Sequence, residues 1–132
     1  MDDLIIEWLG AQLDEDQRIV SRALDHVDAE WRLDAARNVV LCRRLTVSGR
    51  QSTPVTAIEW RYPRVGAPAL APHVAEHDPA RVLREIDAKR RMIGRINSHA
   101  TMMGWDEVHG DLLRLLAAPY AHRPGYREEW RP

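Results

Sequence analysis

The sequence contains one cysteine, one lysine and no phenylalanine, and what is scarce narrows the functions open to it. With Cys42 alone, no internal disulfide can form and a cysteine-rich zinc site is excluded. Set in the apolar run VVLC, Cys42 is expected as a small buried hydrophobe. A catalytic thiol would need a neighbouring base, and the sequence places none beside it. The longest apolar runs, LIIEWL and VVLC, fall far short of the roughly 20 residues of a membrane span. The start, MDDLIIEW, is acidic where a secretory leader would be basic, so the chain is expected to be cytoplasmic. A Gly-rich phosphate loop, a nucleophile elbow and an acidic metal cluster are all missing. No catalytic residue is therefore assigned, no cofactor is expected, and the expectation is a protein without enzymatic activity.

What is present is typical of a globular protein. The 132 residues are 45% hydrophobic and 30% charged, long enough for a self-supporting core, and are expected to form a single domain over residues 1–132. The net charge of −1 hides an uneven spread. Residues 1–33 carry −6, residues 34–66 carry +4 and residues 67–98 carry +2. Such neighbouring segments of opposite sign either mark a partner surface or neutralise one another in the fold. All but one of the nineteen bases are arginine. That skew fits a GC-rich coding sequence and does not make each arginine a phosphate contact.

Periodicity predicts a long N-terminal helix over residues 2–27, capped by Asp2 or Asp3, with Leu4, Ile5, Trp8, Leu9, Leu13, Ile19, Val20 and Leu24 on its apolar side. The run Asp14-Glu15-Asp16 interrupts that stripe and predicts a kink or a projection into solvent. Over residues 30–62 the β-branched and aromatic segments NVVLC, LTV and PVTAIEWRY, broken by SGRQSTP, predict a small antiparallel sheet of about three strands. PRVGAPALAP, with Pro63, Gly66, Pro68 and Pro72, predicts an irregular connector. Asp78 as cap and Pro79 at the first helical position start the next helix. Its stripe is Val82, Leu83, Ile86, Ile93 and Ile96, and TMMG ends it. WDEVHGDLLRLLAAP predicts a last helix to about Ala118. The expected fold is α+β: a long N-terminal helix, a small antiparallel sheet, two C-terminal helices and an ordered aromatic tail.

Two segments, HVAEHDPARVLREIDAKRRMI and LLRLLAAPYAHRPGYREEWRP, resemble a family of small actinobacterial and actinophage proteins classed as a domain of unknown function. The resemblance implies an accessory protein of phages and mobile elements, and implies no activity, substrate or cofactor; a host or phage protein is the expected partner. Relatives carry a cysteine-containing insert before the last helix. Here that place holds SHATMMGWDEVHG, without a cysteine.

Three constellations are candidate sites. The aromatic tail, with Tyr120, Tyr126, Arg127, Trp130 and Arg131, either straps the C-terminus onto the helices or offers a patch to a protein partner; packing is the more economical account. The basic helix, with Arg81, Arg84, Lys89, Arg91 and Arg95, is the alternative nucleic-acid surface; Glu85 and Asp87 interrupt it and no reading motif accompanies it. HVAEH, residues 73–77, fits the H-x-x-E-H pattern of inverted zinc peptidases, with His73 and His77 as ligands and Glu76 as base. The flanking prolines leave it little helix. A histidine metal site joining His73 and His77 to His99 or His109 is the second alternative. The expected function is therefore a protein-interaction module. Partner identity and oligomeric state are not encoded in any motif.

Overall fold

The computed structural model describes residues 3–34, 39–42, 57–59 and 67–132. In chain order the elements are α1 (Asp3–Leu24), β1 (Arg32–Asp34), β2 (Val39–Leu41), β3 (Ala57–Glu59), α2 (Ala67–Glu76), α3 (Pro79–Met103) and α4 (Glu107–Ala117). Two 3-10 turns follow, at Ala118–Tyr120 and Glu128–Trp130.

The α+β expectation is overturned: the described residues are mostly helical. The helices run 22, 10, 25 and 11 residues, whereas three described residues are extended in each of β1, β2 and β3. The extended segments run antiparallel in the order β1-β2-β3, with Leu33 opposite Val40 and Val40 opposite Ile58. A three-stranded sheet carrying the helices is nevertheless not supported. The β-branched runs that predicted it reflect preference for a half-buried surface, which tertiary context overrides easily. The LTV segment and the alternation through Trp60 and Tyr62 lie outside the described residues.

The proline-rich connector is corrected as well, because α2 runs through Pro68 and Pro72. Pro68 is in the first turn, where its missing N–H would have no helical acceptor. Pro72 is interior and forfeits one backbone bond, a loss on the order of 3 kcal/mol. Burial of Ala71 at 1% exposure, beside half-buried Val74 and Ala75, works against that loss. Pro63 and Gly66 lie outside the described residues.

The chain groups into two compact units. The first joins Met1–Gln17 to Glu85–Pro132. Its α1 portion buries Ile5, Leu9 and Leu13, spaced four apart on one helix face. Ile86, Ile96 and Ala100 of α3, Leu113 and Ala117 of α4, and Tyr120 and Trp130 of the tail are buried in the same unit. The acid run leaves α1 unbroken, since α1 is continuous through it. Asp14 pairs with Arg90 at 2.6 Å, and Asp16 takes the Tyr120 hydroxyl at 2.8 Å together with the Arg123 guanidinium.

The second unit is Arg18–Arg84. Val40, Cys42 and Ala71 form its buried cluster, with Val27, Trp31, Val74 and Ala75 packed against it, and α2 lies on β1 and β2. Asp78 caps α3 by accepting from the Arg81 amide at 2.8 Å. Its other oxygen accepts from the Trp31 amide at 3.2 Å, so one carboxylate both starts a helix and holds the residues before β1. Burial, assisted by the charge of Asp28, pushes the Cys42 thiol up to about 11. That thiol is inert packing, as the VVLC context predicts.

Candidate functional site

The corner between α3 and α4 concentrates the unusual features of the first unit. Gly104 takes φ +93 and donates its amide to the Ala100 carbonyl at 2.8 Å, closing α3 with a left-handed cap. Two residues on, Asp106 is the N-cap of α4: its carboxylate accepts from the His109 amide at 3.1 Å, and its own amide donates to His109 Nδ1 at 3.1 Å. This is a capping box with histidine in the usual Glu or Gln position.

His109 is the buried polar residue among those described, at 5% exposure. Its Nδ1 lies 2.6 Å from the Asp106 carboxylate, and its Nε2 lies 2.9 Å from His99 Nδ1 on α3. The edge of Trp105 stands on the His109 ring at 5.6 Å. An exposed and a buried imidazole thus share a hydrogen bond across the corner, with the Asp106 carboxylate beside the buried ring. Hydrogen bonding by the His109 amide, helped by the nearby His109 ring, holds the Asp106 carboxyl below its ordinary value. A cleft of about 370 Å³ opens beside Asp106, bordered by Ile5, Glu107, Arg114, Glu129 and Trp130.

The outer surface of the same corner is apolar. On α4 the buried positions are His109, Gly110, Leu113 and Ala117. Val108, Leu112 and Leu115 are exposed at 62%, 40% and 58%, although their spacing makes a second apolar stripe on the opposite side. Just before them Met102, Met103 and Trp105 are 81%, 72% and 42% exposed. This surface was not among the expected sites. Its signal was available in the sequence: in EVHGDLLRLLA the apolar residues wrap further around the helix than one core can cover.

The tail takes the packing alternative. Tyr120 and Trp130 are buried, at 5% and 8% exposure, whereas Arg127 and Arg131 are exposed. The Trp8 ring lies 5.7 Å from Tyr126 and 5.3 Å from Trp130, and its Nε1 donates to the Pro124 carbonyl at 3.0 Å. Arg127 lies over the Trp130 ring, and Arg131 pairs with Glu128 at 2.9 Å.

The basic helix is largely engaged within its own units. Arg81 meets Glu76, and Arg91 pairs with Asp87 at 2.9 Å. Lys89 donates to the Tyr120 hydroxyl at 3.1 Å. Arg84 and Arg95 are exposed; Arg43, Arg44, Arg50, Arg61 and Arg64 lie outside the described residues.

The four histidines fall into two pairs. The His73 and His77 rings are 4.3 Å apart, and His77 Nδ1 is 2.6 Å from the His73 carbonyl. The helix ends at Glu76, so HVAEH does not lie on one helix as the zinc-peptidase pattern requires. Among the described residues, no group of three or more His, Cys, Asp or Glu could hold a metal ion. No described helix is long and apolar enough to cross a membrane.

No curated protein and no solved structure matches this chain. A family model does, over residues 1–132, and the chain belongs to that family, a family of unknown function (DUF6221).

Proposed function

We propose that this chain is a non-enzymatic protein-interaction module whose docking face is the outer side of α4 with the end of α3. One observation carries the proposal: α4 is apolar on two opposite sides, and only one is covered. Val108, Leu112, Leu115, Met102, Met103 and Trp105 are all exposed within fourteen residues of chain, whereas exposed apolar residues on a soluble surface are ordinarily scattered singly. Methionines at the rim of this face give a surface that adapts to its occupant.

The occupant is an amphipathic helix of another protein, with basic residues along its apolar stripe. The stripe on α4 is edged by Glu107 and by Asp111, which pairs with Arg114 at 2.8 Å yet keeps its side chain 59% exposed; a basic edge on the occupant complements these two carboxylates. A second copy would bring like charges to the same edge, which opposes self-pairing. An accessory role in phages or mobile elements, implied by the sequence resemblance, is compatible with such a module.

The test uses two synthetic helical peptides with identical apolar stripes, one edged with lysine and one with glutamate. The lysine-edged peptide is expected to bind and the glutamate-edged one not. Combining Val108→Ser, Leu112→Ser and Leu115→Ser should weaken binding at least tenfold while far-UV circular dichroism stays unchanged. Equal binding of both peptides, or no effect of the triple variant, would refute the proposal. A concentration-dependent dimer abolished by the same variant would replace the partner with a second copy.

A further inference from the structure

We infer that the outward side of α3 binds the phosphate backbone of duplex nucleic acid, independently of base sequence. The fold divides the bases of this helix into two groups. Lys89 donates to the Tyr120 hydroxyl, Arg90 is held by Asp14 and Gln17 of α1, and Arg81 meets Glu76. Arg84, Arg91 and Arg95 are exposed.

These three arginines lie in one row. Ile86, Lys89, Ile93, Ile96 and Ala100 recur at spacings of three and four and form the inward line of α3, with Ile86, Ile96 and Ala100 buried. Arg84, Ala88, Arg91, Arg95 and Ser98 repeat the same rhythm out of phase with it, and all five are exposed. At about 100° per residue the two lines lie roughly opposite one another. Three guanidinium groups are thus spread over about 16 Å of helix, with only the small side chains of Ala88 and Ser98 sharing their row. Two acids lie near it. Asp87 pairs with Arg91 at 2.9 Å, but their side chains are 63% and 79% exposed, so water screens the pair and a phosphate can replace the carboxylate. Glu85 lies off the row, with its charge felt at the Tyr120 phenol on the inner side.

A line of positive charge is complemented by a line of negative charge. Duplex nucleic acid carries one charge per about 1.7 Å of its axis, so phosphates are available along the whole row in any register. Arginine pairs bidentately with phosphate oxygens, and the Ser98 hydroxyl can add a contact. The row has no aromatic side chain on which the bases of a single strand would stack. The apolar side of α3 is already buried, which leaves none to enter a lipid surface. The exposed residues of the α4 face take no part, so duplex binding and peptide docking are lost independently.

The test uses the full chain and a short fluorescein-labelled DNA duplex of arbitrary sequence, read by fluorescence anisotropy over a range of salt. Three phosphate contacts predict that log K falls against log salt with a slope of about −2.7, about a 40-fold loss between 50 and 200 mM. Arg84→Gln, Arg91→Gln and Arg95→Gln should each make the slope shallower by about 0.9, and together should abolish binding. Far-UV circular dichroism should stay unchanged, because all three residues are exposed. Asp87→Asn, which removes the carboxylate beside the row, should tighten binding. Arg127→Gln, at an exposed base of the tail, should leave it unchanged. Absence of salt-dependent binding at low salt, or a triple variant that binds as the parent does, would overturn the assignment. So would tighter binding to polyglutamate or to anionic vesicles than to the duplex. If the duplex binds and the lysine-edged peptide does not, the docking reading alone falls.

Discussion

Replacing Gly125 by alanine tests how firmly the tail grips α1, and Gly104 provides a built-in control. Both glycines have positive φ, +83 and +93. Alanine therefore carries a left-handed penalty of about 1–2 kcal/mol at either position. The gain from a less flexible unfolded chain is also common to both and cancels in the difference. The surroundings are not alike. A Cβ on Gly104 meets nothing within 4 Å, whereas one on Gly125 meets Trp8 Nε1 at 2.9 Å and Cδ1 at 3.2 Å. The indole cannot retreat freely, because it donates to the Pro124 carbonyl at 3.0 Å and stands against the Tyr126 and Trp130 rings. Displacing it forfeits a hydrogen bond of about 1 kcal/mol and part of two ring contacts of about 0.5–1.5 kcal/mol each. Gly125→Ala should thus be destabilised by about 1–3 kcal/mol beyond Gly104→Ala. Urea unfolding of the two variants side by side, followed by the Trp8 indole N–H resonance, measures that gap. Equal midpoints would refute the reasoning, since they would mean that Trp8 yields without loss.

Trp130→Ala should destabilise the first unit by about 3–5 kcal/mol, the usual result of emptying a buried aromatic site; chemical denaturation measures it, and a loss below 1 kcal/mol would mean that the tail is not part of the core. Cys42, buried and with its thiol pushed up to about 11, should resist a thiol reagent at pH 8 in the native chain and react at once in denaturant. Burial, then the hydrogen bond to Asp16, raises the Tyr120 phenol above the ordinary tyrosine range. A group raised on folding stabilises fully below its unfolded value and loses that contribution as pH climbs towards its folded one. Urea midpoints should therefore fall as pH rises past the ordinary tyrosine range, and less steeply in Tyr120→Phe; parallel curves would count against the assignment.

Local signals with a single physical meaning were legible in the sequence. Asp78-Pro79 can cap and open a helix in only one way, and the four-residue spacing of Ile5, Leu9 and Leu13 predicts the buried face of α1. Gly104 after the run of α3 marks its end for the same reason. The α+β expectation failed because β-branched runs report only a preference for half-buried surfaces, and the described residues are mostly helical. The helix through Pro68 and Pro72 was missed because Pro68 was weighed without its position in the first turn, and Pro72 without the burial of Ala71 that works against its cost. The hydrogen bond between His109 and His99 is out of reach of periodicity altogether. His99 and His109 are ten residues apart on different helices, and only the turn at Gly104 brings their nitrogens together.

The discontinuity of the first unit has a consequence for synthesis. Residues 1–17 are translated before 18–84, yet the rest of their unit comes from 85–132, after all of 18–84 has been made. At ordinary elongation rates of roughly 5–20 residues per second, the greasy side of α1 waits several seconds for its cover. Arg18–Arg84, contiguous in the chain, has every part of its own core in hand before then. A ribosome that stalls before Trp130 would release a product with Trp8 unclasped, the kind of exposed surface by which chaperones and proteases recognise an unfinished protein.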